Sequence, residues 1–286
     1  MDKILGSSRA EDIFTISGYK QEFSALVKLL HPDVCHLPGA DVAMSRLNSY
    51  RQDMGKYSEG TDDAGKFVLL SDTEVLFSGD PDLLHTSLEN FRMLKGLKGD
   101  AASHFMKYLP DSMQFEDGGL RVRSGQRMIP LTHLTLPHEH TDWILSRIFE
   151  LVSWLHQEGY CHLGIHPESI FVVPETHGII CVSFYHLTRI HQQPATLSGS
   201  YLNWYPAVVF DKKTAIPYID LSLAQHTAIY LLGDKSGNGI SLKASQNARL
   251  VDFLITPHYD SFHTYQTFRE LLLTEFGKPT FHNLNI

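Results

Sequence analysis

A proline set between two apolar-periodic runs restricts the start of this chain to a helical hairpin. Upstream of Pro32, the residues Tyr19, Phe23, Leu26, Val27 and Leu30 recur at i, i+4, i+7, i+8 and i+11. That spacing lines one face of a helix about three turns long. Pro32 has no amide donor and disfavours helical geometry at His31, so the chain turns there. Downstream, Ala40, Ala43, Met44, Leu47, Tyr50 and Met54 carry a second helical stripe, with Asp41 placed to favour the new N-terminus.

The turn reads His31-Pro32-Asp33, and the second stripe contains Leu47-Asn48-Ser49-Tyr50. Together with an opening Ile4-Leu5-Gly6, these features resemble a J-domain over residues 1–57. The resemblance implies docking on the ATPase domain of the seventy-kilodalton heat-shock chaperone, with His31, Pro32 and Asp33 as the essential contact. Lys20 and Lys28 are the basic residues of the helix before the loop, offset by Glu22. Steering toward an acidic chaperone surface is expected to be modest.

A formal charge of -8, with no basic run, argues against nucleic-acid or anionic-membrane binding. Hydrophobic residues make up 43% of the chain and charged residues 20%, enough apolar material for a sizeable core. Cys35, Cys161 and Cys181 are odd in number and lack metal-type spacing, which fits free thiols in a reduced compartment. There is no signal-peptide pattern and no long apolar run, so a cytoplasmic protein is expected. His133, His138 and His140 lie close in sequence, but no His-Glu-x-x-His or paired Cys-x-x-Cys accompanies them, and no metal or other cofactor is expected.

The polar, glycine-bearing stretch 58–65 reads as a linker to a second domain. Residues 66–134 alternate as strands around one helix: Phe67 to Leu70, Glu74 to Phe77, Phe105 to Tyr108, Met113 to Phe115, Leu120 to Val122 and Met128 to Leu131. Asp80-Pro81-Asp82 opens the helix, whose apolar face is supplied by Leu83, Leu84, Leu88, Phe91, Leu94 and Leu97. Residues 135–286 are mostly helical, beginning with Ile144, Ile148, Leu151, Val152 and Leu155 and pausing near Gly159.

The stretch after that helix, Tyr160-Cys161-His162-Leu163-Gly164-Ile165-His166-Pro167-Glu168-Ser169, resembles the protein-kinase catalytic loop. Against that family's His-Arg-Asp-x-Lys-Pro-x-Asn pattern, His162 is kept. Gly164 stands for the catalytic Asp, His166 for the Lys and Ser169 for the Asn. Ser183-Phe184-Tyr185 resembles the metal-binding Asp-Phe-Gly, and Asp220 resembles the structural Asp that ties a later helix to the loop. Phe77 falls where the ATP-binding Lys would lie, and Glu89 could match the helix Glu that pairs with it.

The expected fold is therefore α+β, an all-α J-domain hairpin followed by a compact bilobal protein-kinase-like domain. Phosphoryl transfer depends on positioned Mg²⁺, phosphate-clamping cations and an orienting carboxylate. Their replacement at the motif positions implies a pseudokinase, not an enzyme and with no catalytic residues. The expected function is a co-chaperone or adaptor that binds the heat-shock chaperone and an unidentified protein client. Two alternatives stay open: an atypical ATP-dependent phosphotransferase with substituted groups, and a protein-binding module whose J-like hairpin is non-functional.

Overall fold

A computed structural model describes residues 1–14, 19–31, 34–281 and 284. Three helices open the chain: α1 (Asp2–Gly6), α2 (Tyr19–Leu30) and α3 (Ala40–Ser58). The α2 and α3 helices pack against each other, and the start of α2 lies beside the end of α3. There the Arg51 guanidinium sits over the Phe23 ring, and the Tyr19 hydroxyl approaches Gly55. Ala40, Ala43, Leu47, Tyr50 and Met54 are all buried, so the second stripe faces inward as its spacing requires. Arg46 on α3 donates to the carbonyls of Ile4, Leu5 and Ser7, satisfying the end of α1 where no further turn exists to do so.

The α3 helix runs straight into a sheet. The stretch expected to be a linker instead contributes β1 (Glu59–Asp62), paired antiparallel with β2 (Gly65–Ser71) in the register Asp62 to Gly65 and Glu59 to Val68. Its composition is polar because the strand is an edge strand and because Asp62 and Asp63 serve the site described below. β3 (Glu74–Gly79), β4 (Ser112–Glu116) and β5 (Gly119–Arg123) complete a five-stranded antiparallel sheet in the order β1-β2-β3-β5-β4. Between β3 and β4 lie α4 (Pro81–Lys95) and α5 (Asp100–Phe105). Asp80 caps α4 by accepting the amides of Asp82 and Leu83, as the Asp-Pro-Asp sequence predicts.

Phe105 to Tyr108, expected as a strand, is the end of α5 and a 3₁₀ turn. Burial against the next helix outweighs the local β preference here. Phe105 stacks on Trp154, and the Tyr108 hydroxyl donates to Glu150.

The second lobe is helical. α6 (His138–Gln157) and α8 (Pro217–Leu231) pack at its centre, with α9 (Ala248–Ile255) and α10 (Ser261–Phe276) outside them and the short α7 (Val208–Lys212) in the connection. A three-stranded sheet of β6 (Ile129–Pro130), β8 (Ile170–Val173) and β9 (Gly178–Cys181) joins the lobes. A small ribbon of β7 (Tyr160–Cys161) and β10 (Thr188–Arg189) stands beside it. β8 is buried at every position, which is why it reads as a continuous Ile-Phe-Val-Val run. The structure is thus mixed α/β, with a sheet lobe and helical parts. None of its described helices is long and apolar enough to cross a membrane.

Candidate functional site

The loop from Cys161 to Ser169 is held from below by a fully buried carboxylate. Asp220, in the first turn of α8, accepts the amide of His162 at 2.7 Å on one oxygen and the amide of Leu163 at 2.7 Å on the other. His156 from α6 contacts the same carboxylate at 3.0 Å. These bonds stabilise Leu163 at φ 58, the left-handed region that a branched side chain rarely enters. His162 is buried, and burial pushes its ring down to about 4, so it is neutral. Its Nε2 donates to the Ser183 carbonyl at 3.0 Å, and its Nδ1 accepts the Gly164 amide at 3.2 Å.

Above this loop, the β1–β2 turn enters from the sheet lobe. The Ala64 carbonyl accepts the Asp80 amide at 2.7 Å, which ties the turn to the start of α4. Gly79 permits that approach, because a Cβ there would lie 1.9 Å from the Ala64 oxygen. The Asp63 side chain is then 5% exposed. Its Oδ2 receives His166 Nε2 and His186 Nε2, each at 3.0 Å, and its Oδ1 accepts the Ser198 hydroxyl at 2.7 Å. Burial opposes the Asp63 charge, but the hydrogen bonds from the two histidines and the serine override it, and the carboxyl stays well below the usual carboxylate range.

His166 is the cationic centre. Burial disfavours its charge, yet the bond to Asp63 and an ion pair of 2.9 Å from Nδ1 to Glu168 raise it to about 9. The ring stacks on Tyr201 at 4.8 Å between centroids, and the Tyr201 hydroxyl donates to the other oxygen of Glu168 at 2.7 Å. Asp62 accepts the Tyr185 hydroxyl at 2.5 Å and the Gly65 amide at 3.0 Å, and burial raises its carboxyl. The cluster is a closed network of alternating charge that links the sheet lobe to the helical lobe.

The expected motif positions divide between this network and its scaffold. Ser169 braces the loop, its hydroxyl taking the His166 amide and donating to the His166 carbonyl. Gly164 lies under His186, and a Cβ there would come within 2.8 Å of the ring, so the histidine occupies the space a side chain would need. Ser183, Phe184 and Tyr185 are buried; the Phe184 amide donates to Ser87 and its carbonyl accepts from Asn90, both on α4. Glu89 is exposed, so Ser87 and Asn90 are the α4 residues that reach the motif. Phe77 is fully buried beside Phe67, which also packs on Phe171. At the other end of the molecule, His31, Lys20 and Lys28 are exposed, and the His31 carbonyl accepts the amides of Val34 and Cys35 at 2.8 Å. Pro32 and Asp33 lie outside the described residues.

Asp62, Asp63, His186, Ser198 and Tyr201 were not among the expected site residues. The available signal was Asp62-Asp63-Ala64-Gly65 just before an apolar strand, which suits a tight hairpin as well as a linker. His156, Cys161 and Asp220 bring donor atoms within 4.8 Å of one another. Both Asp220 oxygens are already occupied by amides, and burial raises the Cys161 thiol, so the trio suits a brace better than a metal site. A cavity of about 900 Å³ lies elsewhere, between α6 and α10, lined by Trp143, Arg147, Tyr265 and Phe276 among others.

No family model matches the sequence, and no curated protein matches it. Among solved structures, 1078 chains match. One is described as "Structure of vaccinia related kinase 3", 13% identical, with 78% of this chain and 92% of that chain covered and a TM-score of 0.48. The expectation that the chain is not an enzyme is corrected here. The site holds carboxylates that a reading of the motif positions alone overlooked. Asp62 and Asp63 come from the end of β1 and the turn after it and Glu168 from within the loop, so loss of acidic groups at two motif positions does not empty the site of acid–base groups.

Proposed function

We propose that this protein brings a seventy-kilodalton heat-shock chaperone to a protein client in the cytoplasm, with the N-terminal hairpin as the chaperone-docking element and the protein-kinase-like remainder as the client-binding element. His31, Pro32 and Asp33 form the contact, with Lys20 and Lys28 assisting. The observation that carries this reading is the exposure of His31 at the far end of the hairpin. The 19 residues of α3 separate that end from β1, roughly 28 Å along the helix axis. A partner can therefore reach the tip without meeting the sheet, which weighs against a hairpin used only for internal packing. The test is steady-state ATP hydrolysis by a purified chaperone with and without the protein, alongside His31→Gln. Stimulation that disappears in the variant supports the reading; no stimulation by either protein overturns it.

A second reading, an ATP-dependent phosphotransferase with substituted groups, draws on the carboxylates gathered around the motif loop. It requires ATP to raise the thermal stability of the protein and radiolabel to move from ATP to an acceptor. Absence of both effects removes it.

A further inference from the structure

Thr196 lies in the connection between β10 and α7 and is exposed. Its Oγ1 stands 2.8 Å from His186 Nδ1, while Nε2 of the same ring stands 3.0 Å from Asp63 Oδ2. His186 is 3% exposed, so only the outermost member of this row meets solvent. An ionised carboxylate can only accept, which places the shared proton on His186 Nε2. In the neutral ring, Nδ1 then turns its lone pair toward the Thr196 hydroxyl.

The imidazole is held on several sides. Tyr185 meets it edge-on at 6.1 Å, Gly164 supplies the space beneath it, and the Thr188 hydroxyl donates to the His186 carbonyl at 2.8 Å. A reachable hydroxyl, a shielded base and a buried orienting carboxylate are the three parts of an activated nucleophile. The ring nitrogens are exchanged relative to the Ser-His-Asp arrangement of hydrolases, but each role is filled.

We propose that Thr196 is an acyl-accepting nucleophile, with His186 as its general base and Asp63 as the positioning residue. The substrate class is an activated carboxylic ester. Thr196 Oγ1 attacks the carbonyl carbon, a new ester bond forms, and the bond to the original leaving alcohol breaks. The hydroxyl proton passes to His186 Nδ1 and from there to the departing alkoxide. The products are O-acyl Thr196 and the free alcohol, one per chain, with no oxidant or reductant required.

The probe is p-nitrophenyl acetate applied to the full chain, with acetylation located by peptide mass spectrometry. Thr86, exposed on α4, serves as the internal comparison. General-base assistance of the usual size predicts acetylation of Thr196 about a hundredfold or more faster than Thr86. Thr196→Val removes the label at that position and Thr196→Ser keeps it. Asp63→Asn slows labelling at position 196 and leaves Thr86 unchanged. Equal labelling of Thr196 and Thr86 in the folded wild type overturns the proposal. That result comes from the wild type, so poor folding of Asp63→Asn does not shelter the proposal.

Discussion

Replacing Asp63 with Ala tests whether the two lobes are joined by buried charge. The substitution strands His166 opposite Glu168 with one carboxylate fewer, and it removes the acceptor for His186 and Ser198. Breaking a buried ion pair by deleting one member costs about 3–5 kcal/mol, because the remaining charge stays buried. In a domain of this size each kcal/mol corresponds to roughly 2–4 °C, so melting should fall by roughly 6–20 °C. Asp63→Asn keeps the shape and some hydrogen bonding, and should cost less.

The difference between wild type and variant should depend on pH in a defined way. His166 is raised from 6.5 to about 9 in the folded protein, so its contribution is complete below 6.5 and is lost as pH rises through about 9. Asp63 is lowered from 3.8, so its contribution is present above that value and is lost as pH falls below it. The stability gap should therefore be widest between about pH 4 and 6.5 and narrow toward alkaline pH. Urea unfolding of both proteins across pH 5 to 10 measures it. A gap that is the same at every pH, or one smaller than about 1 kcal/mol, refutes the reasoning that Asp63 and His166 are a buried charged pair.

Removing the Asp220 carboxylate with Asp220→Ala should destabilise the protein by at least about 3 kcal/mol in urea unfolding, since two buried amides lose a charged acceptor. Restoring the motif carboxylate with Gly164→Asp should lower stability by about 1–3 kcal/mol by overpacking against His186, and a thermal melt at or above wild type would show that the ring moves aside freely. His31→Gln should change stability by less than about 0.5 kcal/mol in the same assay while abolishing chaperone stimulation, because the side chain is exposed. Leu47→Ala, in the fully buried face of α3, should cost about 2–5 kcal/mol by the same measurement.

Periodicity alone determined α2, α3, α4 and the long α6, because each places an apolar face against a neighbour at a spacing that only a helix satisfies. Turn and cap chemistry determined where one begins and another ends: Asp80-Pro81 for the start of α4 and the proline after His31 for the end of α2. Asp220 and the loop at His162 were each singled out in the sequence, and the structure joins them through the His162 and Leu163 amides. Tertiary structure alone decided what surrounds that loop. Asp63 lies 103 residues before His166 and 123 before His186, and nothing local to any of the three indicates that they meet. Local polarity marked residues 58–65 as a linker, but the Asp63 side chain within it is buried, and a buried carboxylate is tolerable only where distant histidines satisfy it. The same distance dependence hid Ser87 and Asn90 behind Glu89. Helical phase places all three on one turn, and only the packing of α4 on Phe184 selects which of them face inward.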